Sequence, residues 1–212
     1  MPLDTQNCLL CESEAVSYQD FYWKCPTCGL VFKSPETFPE YMEEKQRYLT
    51  HNNDVNDLGY LNYLSKAFDL ADVKKGRFLD YGCGPTQGLN VLVEHKKFES
   101  IQVDSYDPIF FPMDFSKKQP SRAYDLVFAS ESFEHFYKPQ KEISKIVDLL
   151  KVGGCLVVST GFYEEQDLKA WWYAKDPTHV VFYSKQTFEW VSSKYDLKIK
   201  YLKSPYVIFV KT

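Results

Sequence analysis

The sequence predicts an α/β fold: a mostly parallel sheet with an antiparallel last strand, preceded by a small four-cysteine metal ribbon. Three observations predict it. From Arg77 onward short apolar runs alternate with helical stretches, the signature of parallel strands joined by crossover helices. The last two apolar runs, LKIKYL and YVIFVK, are separated only by a short KSP turn, which makes them an antiparallel pair at the sheet edge. Four of the six cysteines crowd near the N-terminus as C-x2-C-x13-C-x2-C.

Composition bounds the class. The chain has 212 residues, 44% hydrophobic, 25% charged and 17% aromatic, the balance of a globular protein with a real core. No apolar run approaches the roughly 18–20 residues of a membrane span, and mean hydropathy is −0.39. The opening MPLDTQNCLLCES has neither the basic start nor the apolar stretch of a secretion signal. The expectation is a soluble, cytoplasmic protein with no membrane partner. Net charge is −4, and residues 1–50 carry eight acidic side chains against four basic ones. That is not the basic footprint that phosphate backbones demand, so nucleic acid ranks below a small molecule as partner.

Residues 1–34 form the ribbon. Cys8 and Cys11 make one knuckle and Cys25 and Cys28 the other, each supplying two thiolates to a tetrahedral ion. In CPTCG, Pro26 sets the turn and Gly29 permits a positive φ after it. Zinc is the expected ion, with iron the all-sulfur rival. Tyr18, Phe21, Tyr22 and Trp23 would cover a core too small to fold without metal. Residues 35–53, including the proline-broken SPETFPE, read as linker plus an approach helix. Residues 54–212 form the main domain, with enough apolar residues for a core of its own.

Within that domain Leu58, Leu61, Leu64, Phe68, Leu70 and Val73 recur at helical spacing. FLDYG is the first strand, followed by a helix near 87–97. SIQVDSYD and YDLVFAS are the next strands, then a helix near 139–151 and the strand GGCLVVST. A helix near 184–195 precedes the antiparallel pair. Cys83 and Cys155 stand alone and read as small buried hydrophobes.

The chemistry begins at FLDYGCGPTQG. Asp80 ends the strand, and Gly82 and Gly84 let the backbone approach a ligand beside the start of a helix at Gly88. About one βαβ unit later VDSYDP places Asp107 where an acid accepts the ribose hydroxyls of a nucleoside ligand.

With these pieces the sequence resembles a class I S-adenosylmethionine-dependent methyltransferase, a Rossmann-like fold, carrying an N-terminal four-cysteine zinc ribbon. FLDYGCGP, YDP, YDLVFASESFEHF and LLKVGGCLVVST carry the resemblance, over roughly residues 55–212. Thr86 occupies the third position of the family's usual GxGxG. The resemblance implies that Asp80, Tyr81 and the backbone of Gly82, Cys83 and Gly84 hold the methionine part of the cofactor. It also implies that Asp107 and Pro108 flank the ribose, and that Ser130 and Glu131 line the reactive end. The stretch from Pro108 to Ala123 is short for the family's next helix and third strand, and Asp114 is its nearest acid for the adenine side.

SESFEHF brings Glu131, Glu134 and His135 together. One reading is loop structure, with Glu134 capping a turn. The other, from methyltransferases with a similar ExxEH segment, is a divalent magnesium or manganese ion at Glu131, Glu134, His135 and His179. His179 lies in WWYAKDPTHVVFYS, where the fold builds its substrate cover. It reads either as a satisfied core histidine or as a general base. His179, His135 and Glu134 are thus the candidate catalytic residues, beside an aromatic wall from 171 to 183. The expected reaction is methyl transfer to oxygen or nitrogen, with carbon also open, on a small molecule or glycan precursor. An RNA methyltransferase using the ribbon as its grip and a catalytically silent cofactor-binding scaffold are the alternatives. No motif bears on oligomeric state.

Overall fold

Strands that are apolar on both faces set the architecture. The computed structural model describes residues 5–50, 55, 57–115 and 123–212. Its central strands are β5 (Gly76–Tyr81), β6 (Ile101–Tyr106), β7 (Tyr124–Ser130), β8 (Leu150–Ser159), β10 (Leu197–Lys203) and β11 (Tyr206–Lys211). Successive side chains turn to opposite faces. Leu126 and Phe128 therefore join Phe78, Val157 and Ile208 on one side. Val127 and Ala129 join Leu79, Leu156 and Phe209 on the other. A sheet apolar on both faces must be covered on both. Leu64, Phe68, Leu89 and Leu92 from α2 (Leu58–Ala71) and α3 (Gly88–His95) cover the first. Ile143, Ile146, Phe188 and Val191 from α4 (Pro139–Leu149) and α5 (Lys185–Lys194) cover the second.

The strand order is β10-β11-β8-β7-β5-β6. β6, β5, β7 and β8 run parallel, and β11 inserts antiparallel between β8 and β10. This is the expected mostly parallel sheet with its antiparallel last strand. The helix expected from Asp54 starts at Leu58, where Asp57 accepts hydrogen bonds from the backbone of Gly59 and Tyr60. It stops at Asp72, whose φ of 54° is left-handed. Linker residues 51–53, Asp54, and residues 116–122 of the stretch expected to hold a third strand lie outside the described residues. The described part of that stretch folds back at once, Asp107 and Phe111 exchanging both backbone hydrogen bonds.

The ribbon meanders through β1 (Thr5–Asn7), β2 (Glu14–Tyr18), β3 (Tyr22–Lys24) and β4 (Val31–Lys33). Strands this short bury little area alone. The ribbon gains a fifth strand from the far end of the chain, β9 (Val181–Phe182), with Val31 opposite Phe182 and Phe32 opposite Val181. Leu10, Leu30 and Phe32 are fully buried in the same apolar cluster as Ile146, Phe188 and Phe209. Ribbon and sheet thus share one apolar cluster. Between ribbon and sheet, α1 (Tyr41–Leu49) crosses the C-terminal edge of the parallel strands, where Tyr48 meets the His135 ring at 5.1 Å.

Candidate active site

At β5 the order in which the chain adds strands reverses, with β6 on one side and β7 on the other. In open parallel sheets the crevice at such a point, beyond the carboxyl ends of the strands, is where ligands bind. A cavity of about 660 Å³ lies there. Tyr81, Gly82, Cys83 and Gly84 form one wall, Asp107 and Pro108 a second, and Ser130 and Glu131 a third. Eight of the nine residues expected on the cofactor side thus share one cavity. α1 adds Glu44 and Tyr48 across the mouth.

Asp80 is the ninth, and it does not line the cavity. It is 5% exposed, and its carboxylate accepts from Leu89 N at 3.1 Å, satisfying the first turn of α3 from below. Burial pushes the Asp80 carboxyl up to about 7. The amides of the loop are also largely spent. Gly82 N and Cys83 N both donate to Tyr106 O, at 2.8 and 3.0 Å, and Gly84 N donates to Asp107 Oδ2 at 3.1 Å. These hydrogen bonds hold the loop against β6 and Asp107. Cys83 contributes no thiolate either, since burial raises its pKa.

What the loop offers is space. Gly82 and Gly84 both have left-handed φ, 78° and 56°. A Cβ on Gly82 would run into Ser132 Oγ, whereas one on Gly84 would meet no atom within 4 Å. Gly84 thus forms an open cradle in the cavity wall. Asp107 Oδ1 accepts from Ile109 N and Phe110 N at 2.8 and 3.0 Å. Those amides orient the carboxylate and fill Oδ1, while Oδ2, which accepts only from Gly84 N, keeps lone-pair capacity for a ligand. Ser130 Oγ accepts from Ser159 Oγ at 3.1 Å. Glu131 has a φ of 48° and accepts from the Tyr63 hydroxyl at 2.5 Å. A left-handed glutamate at a strand end is backbone strain of the kind that collects at functional sites.

The SESFEHF and DPTHV segments meet beside this cavity. Glu134, His135 and His179 place their ligand-type atoms within 4.8 Å of one another. His135 Nδ1 donates to Thr178 O at 2.9 Å, and His179 Nδ1 donates to Tyr173 O at 2.8 Å. Both rings therefore carry their neutral-form proton on Nδ1, leaving Nε2 as the basic atom. Glu134 is fully buried, with Oε2 accepting from Thr160 Oγ1 at 2.9 Å. Its Oε1 has no hydrogen-bond partner and lies 3.8 Å from His135 Nε2. Burial, and then the charge of Glu131, push the Glu134 carboxyl well above the usual range. Glu131 does not join this group, and of the three only His135 lines the cavity.

The ribbon's fit to a metal is direct. Cys8 and Cys28 Sγ are 3.6 Å apart, Cys11 and Cys25 Sγ 3.4 Å, and all four lie within 4.8 Å of one another. Thiolates around a tetrahedral zinc sit about 3.8 Å apart, each about 2.3 Å from the ion.

Sequence reasoning missed the residues that join ribbon and site. Arg47 of α1 pairs with the half-buried Asp176 at 2.7 Å, and Asp176 accepts from Thr178 N and Oγ1 at 3.0 and 2.7 Å. Lys33 of β4 donates to Asp176 O at 2.8 Å and, through its backbone, to Val180 O at 2.8 Å. Burial lowers the Lys33 pKa to about 8. The only available signal was the DPTH turn itself, which gives no hint of a partner in the ribbon.

A family model described as a methyltransferase domain matches residues 48–202. No curated protein matches the sequence significantly. Solved structures match in fold. The Burkholderia thailandensis 1,6-didemethyltoxoflavin-N1-methyltransferase, with bound 1,6-didemethyltoxoflavin and S-adenosylhomocysteine, aligns over 99% of both chains at 11% identity and TM-score 0.57. A Haloferax volcanii putative methyltransferase complex with the Trm112 activator aligns over 74% of this chain and 77% of that one, at 18% identity and TM-score 0.56. Human N-acetylserotonin methyltransferase in complex with S-adenosylmethionine aligns over 81% of this chain and 56% of that one, at 14% identity and TM-score 0.55.

Proposed function

Since the chain belongs to the methyltransferase-domain family and is a class I S-adenosylmethionine-dependent methyltransferase, we propose that it methylates an oxygen or nitrogen of a small molecule or glycan precursor. The observation that carries this reading is the single cavity at the β5 switch point, where the Gly84 cradle, Asp107 and the strained Glu131 face one volume. S-adenosylmethionine supplies an electrophilic methyl group there. Asp107 is the residue to receive its ribose hydroxyls, and Gly84 leaves the backbone bare beside it. Ser130 and Glu131 close the reactive end. Tyr48 and the rest of α1 restrict water at the mouth. Much of the rate then comes from positioning, because a sulfonium already carries a good leaving group.

The acceptor-side cluster supports a second component. A fully buried carboxylate oxygen without a hydrogen bond is costly. Two imidazoles whose Nδ1–H groups are committed to backbone carbonyls are arranged as metal ligands are. We read Glu134, His135 and His179 as the ligands of a divalent ion at the edge of the cofactor cavity, which His135 lines. Two nitrogens and one carboxylate suit manganese, iron or zinc better than magnesium. If no ion binds, His179 Nε2 remains the candidate base.

We read the ribbon as a zinc-held brace for the DPTH segment. Lys33 and the β4–β9 pairing tie it to residues 176–182, and its acidic balance argues against an RNA grip.

Calorimetric titration with S-adenosylhomocysteine tests the cofactor reading. Removing one partner of a charge-assisted hydrogen bond costs about 1.5–3 kcal/mol, so Asp107→Ala weakens binding roughly tenfold to a hundredfold. Wild-type protein that fails to bind the cofactor, or an Asp107→Ala variant that binds it equally well, overturns the assignment.

A further inference from the structure

Beyond the cofactor cavity lies a second, aromatic chamber of about 450 Å³. Tyr60 and Glu131 belong to the walls of both cavities, so the chamber adjoins the reactive end. Its other principal walls are Tyr63, Trp171, Trp172 and Tyr173. Trp171 stacks obliquely on Tyr173 at 5.1 Å, and Trp172 meets Tyr173 edge-on at 5.4 Å. Trp172 is 75% exposed and stands at the entrance. Glu131 is the one acidic group of the lining, and the described residues of that lining include no Lys, Arg or His.

Two features fix how that carboxylate is presented. The hydroxyls of Tyr63 and Tyr173 both donate to it, at 2.5 and 3.4 Å, one to each oxygen. Its backbone is held in the left-handed region while its amide still donates to Ser159 O at 2.8 Å. The fold therefore pays local strain to set a carboxylate between ring faces. Aromatic faces carry negative quadrupoles, and a box of such faces with one carboxylate attracts an organic cation. It gives neutral molecules less and repels anions.

Resting on the methyltransferase reading, we propose that this chamber is the acceptor subsite and that it takes an organic ammonium: an apolar body bearing a positively charged nitrogen. The rings enclose the nitrogen; Glu131 takes one proton from the ammonium, the lone pair so exposed takes the methyl group from the sulfonium, and S-adenosylhomocysteine is the leaving group. This narrows the acceptor from small molecules in general to amine-bearing ones. A phosphorylated sugar or nucleic acid, whose charge is of the wrong sign, is disfavoured at this subsite.

The test uses full-length protein saturated with S-adenosylhomocysteine and follows tryptophan fluorescence. Choline is titrated against 3,3-dimethylbutan-1-ol, its uncharged carbon isostere. Choline should quench saturably and bind at least about tenfold more tightly than the alcohol, the discrimination that a desolvated cation–π site gives. Glu131→Gln, which preserves shape, should lose roughly tenfold in choline affinity. Trp172→Leu should weaken choline while leaving calorimetric S-adenosylhomocysteine affinity unchanged, because Trp172 is outside the cofactor cavity. Equal affinity for the two probes overturns the proposal, as does indifference of choline to Glu131→Gln. Competition between choline and S-adenosylhomocysteine would move the cation into the cofactor cavity and overturn it too. The two readings fail separately. Loss of S-adenosylhomocysteine binding in the wild type counts against the methyltransferase site, whereas cofactor binding without choline binding counts against this chamber alone.

Discussion

Phe32→Ala asks whether ribbon and sheet are one cooperative body. Phe32 sits in β4, is fully buried, and lies opposite Val181 in the strand contributed by the far end of the chain. It belongs to the apolar cluster that also holds Ile146, Phe188 and Phe209. Truncating a buried Phe to Ala costs about 3–5 kcal/mol, from lost transfer energy plus the cavity left behind. For a chain of this size each kcal/mol lowers the melting midpoint by roughly 2–4 °C. The variant should therefore melt roughly 6–20 °C below wild type, in one transition by both near- and far-ultraviolet circular dichroism. The metal is the built-in control, because a ribbon that unfolds alone would release it below the main transition. An unchanged main transition preceded by separate metal loss refutes the shared core. It would support the expectation that residues 54–212 hold together without the ribbon. The same outcome would also weaken the brace reading, since β9 and the His179 segment would then keep their place unaided.

Metal content separates the two candidate ion sites. Protein equilibrated with manganese and desalted should carry ribbon metal that a Cys25→Ser, Cys28→Ser variant loses, and a second ion that His179→Ala alone loses. Metal content insensitive to both changes counts against both sites. Asp80 makes a pH prediction. Burial raises its folded pKa to about 7, from an ordinary aspartate value of about 3.9, so between those values the folded state holds a proton that the unfolded chain has released. Its contribution is present in full below the lower value and is lost as pH rises through the upper. Asp80→Asn keeps an acceptor for Leu89 N and removes that loss. Denaturant unfolding should show the variant gaining on wild type by on the order of 2–4 kcal/mol between pH 4 and 8. A difference that does not change with pH shows that Asp80 is not buried as a carboxyl.

What the sequence made legible was local in the chain. The Gly82–Gly84 turn follows its strand directly, Asp107 follows one βαβ unit later, and alternation marked β5, β7, β8 and β11 because each strand must satisfy two apolar faces at once. What stayed hidden depends on partners far apart in sequence. Nothing in VFKS marks Lys33 as the residue that will donate to Asp176 O, since a lysine beside an apolar run ordinarily stays in water. Nothing in EKQRYL marks Arg47 and Tyr48 as the groups that will reach Asp176 and His135. The acceptor of the Gly82 and Cys83 amides, Tyr106 O, was hidden for the same reason, because it belongs to the neighbouring strand. The DPTH segment is the extreme case. His179 stands between Asp176, which Arg47 and Lys33 engage, and Val181, which pairs with Phe32. Glu134 reaches the same place from the end of β7 and binds Val180 N through its backbone. Three stretches of chain thus converge on one imidazole. A substitution at Lys33 or Arg47, neither of which lines either cavity, is therefore expected to disturb the placement of His179 first.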